Sequence, residues 1–117
     1  MGRKTNRKKK DREQTTLNLG VAWYRREQWN RLLEVADDRD NLEDTYEEWE
    51  ANAEKGLRRL TRPGFEPQRI DIDIEELIRW CKLKNRPVDG AARSIFTAEK
   101  LQEQMESTGP HFNRQSS

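Results

Sequence analysis

The sequence predicts a mainly α-helical protein of about four helices, grouped as two helix–helix pairs, with one short extended segment between the second and third helix. Three observations carry that prediction. Apolar residues recur at steps of three and four in four separate stretches. Pro63-Gly64 and Pro87 punctuate the chain between them. Period-two alternation occurs in one place, where Ile70, Ile72 and Ile74 are interleaved with Arg69, Asp71 and Asp73.

The first helix is expected over residues 25–36, because Trp29, Leu32, Leu33 and Ala36 fall on one helical face. The second has the clearest signal. Leu42, Tyr46, Trp49, Ala53, Gly56 and Leu60 form a narrow seam, Asp40 and Glu43 have the spacing of a capping box, and Arg58, Arg59 and Arg62 suit the negative end of the helix dipole. This seam does not continue the phase of the first helix. With the polar run at 37–41, the mismatch favours an antiparallel helical hairpin over one long helix, which stays open as an alternative.

Pro63-Gly64 ends the second helix and leads into the extended segment, the single strand candidate. A lone strand leaves backbone groups unpaired. It is solvated at an edge, or pairs near 17–21 or 86–88, or pairs with its copy in a dimer. Asp73, with Glu76 three residues on, is expected to cap a third helix whose apolar face is Ile74, Leu77, Ile78 and Cys81, with Trp80 on its flank. Asp89 is expected to cap a fourth, in which Ala92, Ile95, Phe96 and Leu101 face inward.

The chain has 117 residues, of which 38% are charged and 32% apolar, so it is long enough for one domain with a small core. Its net charge of +1 conceals an asymmetry. Residues 1–16 hold Arg3, Lys4, Arg7, Lys8, Lys9, Lys10 and Arg12 against Asp11 and Glu13, a balance of +5, which leaves about −4 for the rest. The expected organisation is a basic disordered tail over 1–16, a helical domain over 17–106 and a polar disordered tail over 107–117. No stretch has the length of a membrane span or the form of a secretory signal, so a soluble cytoplasmic protein is expected.

Ala22-Trp23-Tyr24, Gln28-Trp29, Asp37, Leu42 and Thr45-Tyr46-Glu47-Glu48-Trp49, followed by Trp80-Cys81, Arg86-Pro87-Val88-Asp89-Gly90 and Ala98-Glu99-Lys100-Leu101, together make a pattern. The pattern resembles a group of small bacterial proteins of unknown function, over about 80 residues. The resemblance implies bacterial origin and a compact, mostly helical domain, and it brings no activity, cofactor or partner.

Catalysis is not expected. Cys81 falls on an apolar helix face, and the one histidine, His111, lies in the polar tail, so neither a Cys/His nucleophile nor a structural zinc site is at hand. Gly-rich phosphate loops are missing from the sequence, and the acidic run from Glu34 to Glu54 lacks calcium-loop spacing and a facing acidic helix for Mg²⁺. No metal or other cofactor is expected. That acidic run could instead be masked by the basic tail. A helix-turn-helix would place Arg93, Thr97 and Lys100 against DNA, but the connection over 83–89 is longer than the usual turn.

What remains is binding. The leading expectation is a small non-enzymatic protein–protein interaction domain, engaging a partner or its own copy, with Trp23 and Tyr24 beside Arg25 and Arg26 as the partly exposed interface pair. The alternative is a nucleic-acid-associated accessory protein, whose seven tail cations neutralise phosphates without reading sequence.

Overall fold

A computed structural model describes residues 16–107 of the chain. Within them the order is β1 (Leu17–Trp23), a 3₁₀ turn (Arg26–Gln28), α1 (Trp29–Val35), a second 3₁₀ turn (Arg39–Asn41), α2 (Tyr46–Leu60), β2 (Phe65–Asp71), α3 (Ile74–Leu83) and α4 (Gly90–Ser107). The protein is mainly helical, with a small two-stranded parallel sheet. The basic run and the polar end of the chain, at residues 1–15 and 108–117, lie outside the described residues. Among the described residues, no helix is long and apolar enough to cross a membrane.

Two strands, not one, form the sheet. Leu17 pairs with Phe65 and Trp23 with Asp71 in continuous parallel register. A parallel pair needs a long crossover, and here α1 and α2 supply it. The pairing near residue 17 was one of the open alternatives; that Leu17–Trp23 is itself a strand corrects the single-strand expectation. The extended segment also begins and ends earlier than the isoleucine alternation suggests. Ile74 is the first residue of α3, because Asp73 Oδ1 accepts from the amides of Glu75 and Glu76 at 2.9 and 3.2 Å and so fixes the helix start.

The sheet has a helix on each face. Gly20, Ile70 and α4 meet on one: a Cβ at Gly20 would lie 3.3 Å from Thr97 Cγ2 and 3.4 Å from Leu101 Cβ, so the missing side chain lets α4 come close. On the other face Trp23 packs edge-on to Trp49 of α2, with ring centroids 5.1 Å apart. The core runs from Leu32 through Ile70, Ile72, Ile74 and Leu77 to Cys81, Ala92 and Phe96.

Several local expectations change. Thr45, not Asp40, caps α2, accepting from the Glu48 amide at 3.1 Å, while Asp40 sits in a 3₁₀ turn and Leu42 is extended. Thr45 and Glu48 have the same capping spacing as Asp40 and Glu43, and the extended backbone at Leu42 excludes one long helix. Of the two expected helix pairs, α3 and α4 do pack together, whereas α1 and α2 do not form a hairpin. The backbone of α1 lies against α3, and that of α2 against β2. Ile95, expected inside, is 42% exposed, because the buried stripe of α4 runs through Ala92 and Phe96. Asp89 does cap α4, accepting from the Ala92 amide at 2.9 Å.

Sheet register also separates the two edges. Leu17 donates to the Gly64 carbonyl and Trp23 accepts from Ile72, so the odd-numbered residues of β1 turn their amides toward β2 and Asn18, Gly20 and Ala22 turn theirs outward. On the far edge of β2, Pro67 offers no amide. Hydrogen exchange is therefore expected to be fast at Asn18, Gly20 and Ala22 and slow at Leu19 and Val21. Uniform protection along β1 would contradict this register.

Candidate interaction surface

Helix α3 ends in a motif that also shapes its surroundings. Asn85 takes the left-handed conformation at φ 56°, the Arg86 amide donates to the Cys81 carbonyl at 3.0 Å, and the Asn85 amide donates to Lys82 at 3.1 Å. This pair of bonds is a Schellman cap, which turns the chain sharply after Leu83. Leu83 is left pointing away from the apolar face of its helix and is 84% exposed.

Leu83 does not stand alone. Trp80, one turn earlier, is partly buried; its indole N–H donates to Glu99 Oε1 at 3.0 Å, and its ring meets Phe96 at 5.5 Å in an edge arrangement. Trp80, Lys84, Arg86, Pro87, Ile95 and Glu99 line a shallow concavity of about 460 Å³. A second, of about 330 Å³, adjoins it across Trp80 and is bordered by Arg79, Leu83 and Phe96 with Glu76, Lys100 and Glu103. The surface joining α3 to α4 is thus a run of exposed and half-exposed apolar side chains.

Its charge is basic, as is that of the stretch from Lys55 to Arg62 at the end of α2, whose four cations also form no ion pair among the described residues. From Leu77 to Val88 the sequence holds Arg79, Lys82, Lys84 and Arg86 and no acidic residue. Among the described residues, none of these four cations forms an ion pair; the arginines and the lysine that do are Arg25, Arg26, Arg31, Arg39, Arg69, Arg93 and Lys100. Lys84 and Arg86 both lie 5.9 Å from the centre of the Trp80 ring, and Arg86 Nε is buried without a hydrogen-bond partner among the described residues. Lys82 and Lys84 complement the dipole at the C-terminus of α3, but that accounts for neither Arg79 nor the exposed Leu83.

The residues singled out in the sequence lie elsewhere. Tyr24 is 5% exposed and its hydroxyl pKa is pushed up to about 12 by burial, so it belongs to the core. Trp23 is half-buried between Trp49 and the guanidinium of Arg69, which stacks 4.1 Å from its ring centre. The expected exposure of the pair is corrected for Tyr24, because Trp29 of α1 and Tyr46 and Trp49 of α2 pack around it. Arg3, Lys4, Arg7, Lys8, Lys9, Lys10 and Arg12 lie outside the described residues.

The helix-turn-helix reading loses the side chains it requires. Arg93 forms a two-pronged ion pair with Asp38, Thr97 is buried, and Lys100 bonds Glu76 at 2.7 Å. The acidic run is occupied in part: Glu47 by Arg26, Asp44 by Arg39, Glu54 by Arg69 and Glu43 by Asn52. Among the described residues, no group of three or more His, Cys, Asp or Glu side chains is placed to hold a metal ion. Cys81 is buried, and its thiol pKa is raised by that burial.

A signal for the surface was present in the sequence. Leu83 is out of phase with Ile74, Leu77, Ile78 and Cys81 and sits between two lysines, which marks an apolar residue on a polar face. No protein-family model, curated protein or solved structure matches the chain.

Proposed function

We propose that this chain is a small, non-enzymatic protein–protein interaction domain of the bacterial cytoplasm. One observation carries the reading: Leu83, 84% exposed, adjoins Trp80 and the 42%-exposed Ile95 on one continuous surface. Apolar side chains exposed together cost solvation free energy, and in a small domain they are retained where a partner covers them. The test is site-specific photo-crosslinking of the full-length protein in the cells that express it. A crosslinker at Leu83 is expected to give a discrete protein adduct that one at Lys55, on the exposed side of α2, does not. A folded variant that gives no adduct from Leu83 would overturn the reading.

A second reading rests on the seven tail cations between Arg3 and Arg12. In it the chain is a nucleic-acid accessory protein, and DNA affinity falls steeply with salt. A chain starting at Leu17 would lose that dependence, whose ceiling is a log–log slope of about −6.

A further inference from the structure

We infer that the α3–α4 surface binds an acidic apolar segment of a partner protein, one whose Leu- or Phe-like side chains are flanked by Asp or Glu; this rests on the interaction-domain reading above. Two features of the surface must be matched together. Leu83, Trp80 and Ile95 offer apolar contact, and a ligand that covers them desolvates that area. Around them stand Arg79, Lys84 and Arg86, all without an ion pair among the described residues, in a chain whose remaining charge beyond residue 16 is about −4. This local excess of positive charge attracts carboxylates and orients them at the rim of the apolar patch, where charges set encounter rate and register.

Nucleic acid fits the same cations less well. Base stacking needs a free aromatic face, and the Trp80 ring already meets Phe96, Lys84 and Arg86 while its N–H is committed to Glu99. The most exposed anchor is aliphatic Leu83, which offers no ring for a base to stack on. Glu76 and Glu103 at the second hollow are ion-paired with Lys100, and a peptide places its carboxylates beside Arg79, Lys84 and Arg86.

The experiment uses ¹⁵N-labelled full-length protein and three probes: a synthetic amphipathic peptide with leucines on one face flanked by glutamates, the same peptide with lysines for glutamates, and a mixed-sequence single-stranded DNA. The glutamate peptide is expected to shift the Trp80 indole N–H and the backbone amides of residues 79–86. Lys84→Glu and Arg79→Glu should each weaken its binding about tenfold, and Leu83→Asp should do the same. All three positions are exposed, so unchanged melting temperatures are the check on folding. Equal binding of the lysine peptide, or tighter binding of the DNA at the same residues, would overturn the inference. So would the absence of binding by the glutamate peptide. If that absence came with a crosslinked adduct from Leu83, the acidic partner would fail alone; with no adduct, the interaction-domain reading would fail too.

Discussion

Trp49→Ala is expected to destabilise the protein by about 3–5 kcal/mol, the largest loss for a single truncation in this core. Trp49 is 8% exposed, and its ring centre lies 5.1 Å from Trp23, 5.2 Å from Tyr24, 5.3 Å from Tyr46 and 5.7 Å from Trp29. One side chain therefore joins β1, the start of α1 and α2. Polar contacts contribute little to the cluster: the Tyr46 hydroxyl donates to the Tyr24 carbonyl at 3.0 Å, but buried Trp29 Nε1 has no partner among the described residues. The loss is chiefly one of packing and apolar burial, and such a loss is a large part of the stability of a domain this size. Urea unfolding followed by circular dichroism measures it. Trp49→Phe, which keeps an aromatic ring, should lose less than Trp49→Ala, and a loss below about 1 kcal/mol for the alanine variant would show that the cluster does not hold α2 to the sheet.

Breaking the Asp38–Arg93 pair ranks next. Both guanidinium nitrogens bond the carboxylate at 2.8 Å, and the two side chains are 16% and 11% exposed. The pair ties the turn after α1 to the first turns of α4. Arg93→Ala leaves a largely buried carboxylate uncompensated and is expected to cost about 3–5 kcal/mol. Replacing both residues together should cost less than the sum of the single changes, because no orphaned charge remains. The pH dependence has a definite sign. Hydrogen bonding from Arg93 holds the Asp38 carboxyl below its ordinary 3.8, against the opposing effect of burial. The stabilisation is therefore complete above about pH 4 and is lost as pH falls through the lower, folded-state value. An Asp38→Asn variant should show a shallower loss of stability on acidification below pH 4. If it follows the unaltered protein throughout that range, the pair is not a source of acid sensitivity.

How much of this was legible in the sequence depended on the distance over which each interaction acts. Asp73 and Asp89 were readable as caps because a cap bonds an amide two or three residues away. The same local rule admitted two candidates before α2, and the extended backbone at Leu42 settled the choice in favour of Thr45. β1 was harder to read. Leu17, Leu19, Val21 and Trp23 alternate, but Asn18 and Gly20 are poor strand formers, and the strand is secured by β2, nearly fifty residues away. Trp23 and Tyr24 looked alike as neighbours ahead of a helix; both rings pack on Trp49, and only the tertiary packing shows that Tyr24 is buried while Trp23 stays half-buried.

The sequence by itself determined the helical class, the four helices and two of their caps, because those follow from spacing and short-range hydrogen bonding. Tertiary structure alone decided the partner of each element: α1 against α3, α2 against β2, β1 beside β2, and Arg93 with Asp38 instead of with a ligand. It also decided which apolar residues stay outside. Exposure depends on what the remainder of the chain covers, and the chain closes over Tyr24 while leaving Leu83 in water.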